Sequence, residues 1–177
     1  GSTNGSSDLF ASWNWLAGTS YTPTVTGGFS SPSASINTKA GFGIYKVTGS
    51  NTQSSFTHGI DSTREMIIAK NIDNTYNWAV FHTDLTNTSD KILNLNGTGD
   101  ETTKSGIWNT INGTKIEVGS YAETGSNGDY IYWVFHSVEG YSKMGTYEGN
   151  ASNDGVFVFC GFRPAFLMVK TIDKAGG

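Results

Sequence analysis

Apolar and polar residues alternate with a period of two through most of the chain, which is the pattern of a β-strand. No stretch sustains apolar residues at the spacing of an amphipathic helix, so the sequence predicts strands as its building units. The 23 glycines, with many Ser, Thr and Asn residues between the apolar runs, supply turns and disfavour helix further. Seven strands are predicted, at residues 10–16, 65–70, 76–82, 115–119, 130–138, 155–159 and 165–172.

Two of these predicted strands carry apolar side chains on both faces. In residues 76–82, Trp78 and Val80 share one face while Ala79 and Phe81 share the other. Residues 130–138 repeat the pattern. A single open sheet would leave one such face in water, whereas two stacked sheets bury it. We therefore predict an all-β fold, an antiparallel β-sandwich.

The charge pattern excludes two classes of function. Only 11 Lys and Arg residues stand against 15 Asp and Glu residues, giving a net charge of -4, and the basic residues are scattered singly. Since no basic stripe is present to neutralise a phosphate backbone, we expect no nucleic-acid binding. No apolar run approaches the roughly 20 residues that cross a bilayer, so we expect no membrane insertion.

Two stretches are predicted to lie outside the main body of the sheets. Residues 19–39 are rich in Ser, Thr, Pro and Gly and predict a long loop or an excursion at a sheet edge, because proline interrupts ladder hydrogen bonding. Residues 94–112 predict a second long loop, pinned by Trp108. The single cysteine, Cys160, follows an apolar run and is predicted to pack as a small buried hydrophobe.

The chain also matches itself at two spacings. Residues 64–70 (REMIIAK) fall on 164–170 (PAFLMVK) at a spacing of 100, and residues 10–15 (FASWNW) fall on 130–135 (YIYWVF) at a spacing of 120. This internal repeat predicts four parts: the closing strand of a preceding repeat at 1–18, a Ser/Thr/Pro-rich connector at 19–40, a complete sandwich repeat at 41–139 and a partial second repeat at 140–177.

The partial repeat carries an expectation about partners. An unpaired strand edge readily pairs with another chain. We therefore expect residues 140–177 to pack against the first repeat, against adjoining repeats of a longer chain, or against other copies of the protein.

Four segments together carry a resemblance to a known family. Residues 12–18 (SWNWLAG), 41–50 (GFGIYKVTGS), 58–82 (HGIDSTREMIIAKNIDNTYNWAVFH) and 140–170 (GYSKMGTYEGNASNDGVFVFCGFRPAFLMVK) resemble tandem modules of large, tail-fibre-like virion proteins of marine tailed phages. That family is similar to concanavalin A-like lectin sandwiches of the jelly-roll type. The resemblance covers most of the chain.

The resemblance implies a place in a virion and not a reaction. Our leading hypothesis is a non-enzymatic structural protein at the virion surface, in a fibre, a spike or a surface decoration, with host-surface polysaccharide as its proposed ligand. Two alternatives from other classes remain open at this point. One is a glycan depolymerase, or glycoside hydrolase, on a jelly-roll scaffold. The other is a purely architectural protein that assembles only with its own copies.

The residues that could perform chemistry are few. His58, His82 and His136 lack the spacing of a zinc site, and we expect each imidazole to bond backbone groups or stack on aromatic rings. Glu117 and Glu123 flank a predicted turn, where they either share a cleft as a carboxylate pair or lie at a rim as solvated charges. We expect no enzymatic activity.

Calcium is the one cofactor that the sequence suggests. Asn150, Asn153 and Asp154 supply the oxygen ligands that calcium prefers. The same residues are also ordinary turn formers, because Asn and Asp tolerate left-handed backbone and bond to nearby backbone groups. We favour the turn interpretation and predict no required cofactor.

A sugar site is the second candidate. Sugar recognition combines an aromatic platform with amide and carboxylate hydrogen bonds. Trp108, Asn109 and Tyr121 offer that combination outside the predicted strands. The alternative is that Trp108 serves only as an apolar plug over one end of the sandwich.

Overall fold

The computed structural model describes residues 9, 12, 14–60 and 65–173, and within them every regular element is a β-strand. The strands are β1 Thr19–Tyr21, β2 Val25–Thr26, β3 Ser30–Asn37, β4 Phe42–Gly49, β5 Ser54–Thr57, β6 Met66–Asn71, β7 Ala79–His82, β8 Lys91–Asn94, β9 Thr102–Thr103, β10 Trp108–Ile111, β11 Lys115–Val118 and β12 Gly128–Phe135. They form an eight-stranded sheet in the order β1-β3-β4-β12-β6-β7-β8-β9 and a four-stranded sheet in the order β10-β11-β5-β2. All the pairings are antiparallel, and the predicted β-sandwich is confirmed.

The main core lies between the two sheets. Strand β12 pairs along its length with β4 on one side and with β6 on the other. Its alternation directs Tyr130, Tyr132 and Val134 to the inner face, where all three are fully buried. The four-stranded sheet supplies the opposing side chains, such as Phe56, whose ring centroid lies 4.9 Å from that of Tyr132.

The outer face of the eight-stranded sheet is apolar as well. Ile68 and Val80 lie there with Trp78 and Trp133, whose stacked ring centroids are 5.5 Å apart. The predicted two-faced pattern of β7 and β12 is therefore confirmed. Within the described residues, however, no side chain of the four-stranded sheet belongs to this outer cluster. The two tryptophans are consequently only partly buried, and they do not lie between the sheets.

The predicted loops at 19–39 and 94–112 contain strands. Strands β1, β2 and β3 occupy much of the first stretch, so the connector expected at 19–40 is part of the sandwich. The expectation of an edge position is correct, since β1 and β2 are edge strands. Hydroxyl-rich edge strands look like loops in sequence because Ser and Thr bond to the backbone in both settings.

Residues 136–173 form no strand, so the strands predicted at 155–159 and 165–172 are wrong. Large apolar side chains in this segment stay in water, with Phe157 88 % and Leu167 77 % exposed. Cys160 is half-buried rather than buried, and its thiol lies 3.6 Å from the Val158 carbonyl oxygen. A second structural copy of the sandwich is therefore absent from the described chain, although the self-match remains in the sequence.

The C-terminal segment is nevertheless attached to the sandwich. The Lys170 ammonium donates to the carbonyl oxygens of Gly97 and Gly99, at 2.9 and 2.8 Å. The Glu101 amide donates to the Ile172 carbonyl at 2.8 Å, and the Ile172 side chain packs on the outer cluster. The N-terminal strand predicted at 10–16 is not found in its described residues, while Phe10, Ala11 and Trp13 lie outside them.

Candidate functional site

The outer face of the four-stranded sheet is polar. In β11, Ile116 and Val118 point into the core, so Lys115 and Glu117 point away from it. The pairing of β11 with β10 is irregular between Trp108 and Thr110. A bulge of this kind changes the direction of the side chain that it contains, and here that side chain is Asn109.

An open groove lies beside this bulge. It has a volume of about 390 Å³ and is lined by Gln53, Ser105, Gly106, Asn109, Gly119, Ser120 and Tyr121. A Cβ at Gly119 would lie 2.5 Å from the Gly106 carbonyl oxygen, so the two backbones approach this closely only because residue 119 is glycine. The groove thus presents two side-chain amides, two hydroxyls and one aromatic ring.

Two contacts hold the Tyr121 ring in place, one at its hydroxyl and one over its face. The Tyr121 hydroxyl donates to the Ser105 carbonyl oxygen at 2.7 Å. The Lys104 ammonium lies 5.7 Å from the ring centroid and forms an ion pair with Glu123 at 2.5 Å. Because these contacts fix the ring before any ligand arrives, binding on it costs little side-chain entropy.

Gln53 and Glu117 form a polar rim next to the groove. The Gln53 amide donates to one oxygen of Glu117, and the Lys115 ammonium donates to the other, both at 2.5 Å. Hydrogen bonds from Lys115 and Gln53 hold the pKa of Glu117 below its ordinary value. Glu117 is therefore an anion at neutral pH and orients the Gln53 amide.

Comparisons with known proteins give one match. The family model described as "Domain of unknown function (DUF7483)" matches residues 1–177. The chain belongs to the DUF7483 family. No curated protein and no solved structure matches the chain, so the concanavalin A-like resemblance stays a prediction. The described part of this DUF7483 chain holds no helix long and apolar enough to span a membrane.

Two of the three residues predicted for a sugar site lie together. Asn109 and Tyr121 both line the groove. Trp108 does not, since it is 1 % exposed and its ring meets the edge of Phe81 in the core at 5.7 Å between centroids. The prediction of an exposed Trp108 platform is wrong, because β10 is a strand whose alternation turns this side chain inward.

No local sequence pattern indicates the other groove residues. Gln53, Ser105 and Ser120 come from loops far apart in the chain, and their residue types are common throughout it. Only the pairing of β11 with both β5 and β10 brings these loops together. The glycine at position 119, next to Ser120, is the one local signal of a close backbone approach.

Glu117 and Glu123 do not form a carboxylate pair of the catalytic kind. Each is bonded to its own lysine, Lys115 or Lys104, and neither lines the groove. Glu123 is buried, so it is not a solvated charge at a rim either. One of its oxygens lacks a hydrogen-bond partner among the described atoms, which the adjacent Lys104 ammonium compensates by charge.

The calcium candidates form a turn. Asn150 donates to the Gly155 carbonyl at 2.8 Å and accepts from the Ser152 amide at 3.1 Å, while the Asp154 amide donates to the Ser152 hydroxyl at 3.2 Å. Asn153 is exposed in the same turn. Within the described residues, no three His, Cys, Asp or Glu side chains are placed to hold a metal ion.

The histidines bond backbone groups. The buried His58 ring accepts from the Ile60 amide and lies 3.0 Å from the Asn112 carbonyl oxygen. The His136 ring lies 2.7 Å from the Ser137 carbonyl oxygen. His82 accepts from the Asp84 amide at 3.2 Å, and burial lowers the pKa of its imidazole. The prediction was that each imidazole bonds backbone groups or stacks on aromatic rings, and all three histidines bond backbone groups.

Proposed function

We propose that this DUF7483 chain is a non-enzymatic carbohydrate-binding module, with the groove at Asn109 and Tyr121 as its sugar site. The observation that carries the proposal is the fixed Tyr121 ring beside the amides of Gln53 and Asn109. Sugar rings offer apolar faces and hydroxyl edges, and an aromatic ring with neighbouring amides matches both.

The chemistry of the groove favours a neutral glycan. The nearest charged side chains, Lys104 and Glu117, are each neutralised by a partner of opposite charge. The groove lining itself is uncharged. Recognition therefore depends on hydrogen bonds and on contact with the ring, both of which persist at high salt because they are not screened like ion pairs.

The state of the carboxylates supports binding without hydrolysis. A glycoside hydrolase needs one carboxyl with a raised pKa, so that it can donate a proton to the leaving oxygen. At Glu117 the pKa is held low by Lys115 and Gln53, which is the opposite direction. We extend the proposal to a structural role at a virion surface on the strength of the sequence resemblance, where many copies would multiply weak single-site binding.

Binding is tested with clustered protein on an array of neutral and anionic bacterial surface oligosaccharides. We expect wild-type binding to neutral glycans, and about a five- to tenfold loss in Asn109→Ala, since one lost hydrogen bond is worth about 1–1.5 kcal/mol. Asn153→Ala removes an exposed amide in the distant turn and serves as the matched control. Equal binding by wild type and Asn109→Ala, or binding to no glycan, would overturn the proposal.

Hydrolysis is tested on the same oligosaccharides in solution. We expect no new reducing ends after prolonged incubation. Release of reducing ends by wild type that disappears in Glu117→Gln would replace the binding module with a depolymerase.

A further inference from the structure

A second depression adjoins the sugar groove at Asn109. It has a volume of about 270 Å³, and its lining includes Thr88, Ser89, Trp108, Asn109 and Ile111. Asn109 lines both sites, so one residue separates them. The lining of the depression is uncharged, like that of the groove, and it combines hydroxyl groups with the partly buried apolar side chain of Ile111. The same class of ligand therefore suits both sites.

The loop that carries Ser89 is bonded to the backbone that forms the groove. The Ser89 carbonyl oxygen accepts a hydrogen bond from the Trp108 amide at 3.1 Å. One Asp90 oxygen accepts from the amide of Gly106, a groove residue, at 2.7 Å. The other Asp90 oxygen accepts from the Asn87 side-chain amide at 3.1 Å. Because these bonds hold the two sites on one fixed surface, a ligand that spans both costs little ordering of the protein.

Trp108 adds an unused hydrogen-bond donor to the depression. Among the described residues, its indole N–H is the only buried side-chain donor that lacks a hydrogen-bond partner. A buried donor without an acceptor is costly, so a sugar hydroxyl that supplies one gains free energy on binding. The Trp108 ring is not a platform for a sugar, since it is 1 % exposed and packs in the core. Its contribution is confined to the N–H group.

We propose that the ligand is an oligosaccharide of at least two linked sugars, which places one sugar on Tyr121 and the next in the depression beside Ser89 and Trp108. This inference rests on the proposed sugar site and gives that site a second subsite and a minimum ligand length. Both sites are open to solvent, so a longer glycan continues beyond them. Internal segments of a polysaccharide are therefore bound as well as its ends.

The first test measures how affinity depends on ligand length. Fragments of one, two and four sugars are prepared from the neutral glycan that binds most strongly on the array, and each is titrated into the full chain by calorimetry. We expect the four-sugar fragment to bind at least tenfold more tightly than the single sugar. A gain of that size exceeds the statistical advantage of presenting several equivalent sugars to one site.

A variant that narrows the depression locates the gain. Ser89→Leu should weaken binding of the four-sugar fragment at least fivefold and leave binding of the single sugar unchanged. Ser89 is exposed, so the fold tolerates the change. Ser33→Leu makes the same change on an exposed serine of β3, in the other sheet, and is the matched control. A variant that merely destabilised the fold would weaken both ligands equally.

The second test observes the indole N–H groups by NMR. The Trp108 resonance is assigned by its loss in Trp108→Phe, and the four-sugar fragment should shift it because the N–H gains an acceptor. The indole resonances of Trp78 and Trp133 should stay in place, since both rings lie on the outer face of the eight-stranded sheet. They are the controls within the same sample.

The outcomes separate the second subsite from the sugar site itself. If no fragment of any length binds, the sugar site is wrong, and the second subsite fails with it. If the single sugar binds as tightly as the four-sugar fragment, the sugar site stands and only the second subsite is refuted. An unmoved Trp108 resonance at saturation with the four-sugar fragment, or an equal loss of both ligands in Ser89→Leu, also refutes the second subsite alone.

Discussion

Strand β6 and the segment 165–171 differ little in sequence pattern and greatly in structure. Ile67 in β6 is fully buried, whereas Leu167 at the equivalent position is 77 % exposed. The difference lies in their neighbours, because β6 has a paired strand on each side and the C-terminal segment has none among the described residues. An apolar alternating sequence therefore becomes a strand only where partners satisfy its backbone groups.

One local feature is shared by both regions. The Lys70 ammonium donates to the carbonyl oxygens of Asn74 and Tyr76, each at 2.8 Å. Lys170, at the equivalent position, donates to two carbonyl oxygens of the loop at Gly97 and Gly99. In both regions, the lysine that follows an apolar run therefore donates hydrogen bonds to carbonyl oxygens of a loop, whether or not the run is part of a sheet.

The largest expected difference between β6 and the segment 165–171 is in how much their equivalent apolar side chains contribute to stability. Ile67→Ala should lower the free energy of unfolding by about 2–5 kcal/mol, because it leaves a cavity between the two sheets. Leu167→Ala at the equivalent position should change it by less than about 0.5 kcal/mol. Urea denaturation of both variants at a concentration where the protein is monomeric measures the difference. Similar losses in the two variants would show that residues 165–171 are packed like β6.

A smaller effect is expected at the two lysines. Lys70→Met should cost about 1 kcal/mol of unfolding free energy, since it removes two hydrogen bonds from a partly exposed ammonium. Lys170→Met should leave the unfolding free energy nearly unchanged but increase hydrogen exchange at the Glu101 amide, which donates to the Ile172 carbonyl. Lys39→Met, on an exposed lysine, is the control for the change of charge. Unchanged exchange in Lys170→Met would mean that Ile172 alone holds the segment.

The sequence correctly predicted the strands whose apolar pattern is accompanied by neighbouring strands in the sheet. Strands β6, β7, β11 and β12 were expected from alternation, and the two-faced pattern of β7 and β12 predicted the layered architecture. The strands at 155–159 and 165–172 were predicted wrongly because alternation reports burial on a sheet and cannot report whether a partner is present. The polar strands β1, β2 and β3 were missed for the opposite reason, since they are paired in the sheets but carry little apolar pattern.

Only some of the groove residues could be predicted from the sequence, for a related reason. Asn109 and Tyr121 were predicted because an aromatic residue or an amide outside the predicted strands is a candidate for sugar binding. Trp108 was placed in a loop because the three residues between β10 and β11, Asn, Gly and Thr, continue the polar composition of the stretch around them. The contribution of Gln53 depends on sheet order, which brings β5 beside β11 and which no local pattern encodes.

The smallest expected effect is a pH dependence confined to the attachment of the C-terminal segment. The Glu101 carboxylate accepts hydrogen bonds from the Thr86 amide and hydroxyl and pairs with the Lys91 ammonium at 3.4 Å. Burial alone would raise the pKa of Glu101, but the bonds from Thr86 and Lys91 outweigh burial and hold it below its ordinary value. The backbone amide of this residue holds the Ile172 carbonyl.

Because the pKa of Glu101 is lowered in the folded state, the stabilisation by its carboxylate must weaken as the pH falls. The stabilisation by Glu101 is complete above the unfolded-state pKa of about 4.3 and is lost as the pH falls through the lower folded-state value. NMR protection factors at the Glu101 amide should therefore fall at acidic pH, before those of β6 do. Glu101→Gln should show the lower protection at every pH, whereas Asp100→Asn, on the exposed neighbour, should follow wild type. Protection that is independent of pH in wild type would show that Lys170 and the Ile172 side chain suffice to hold the segment against the sandwich.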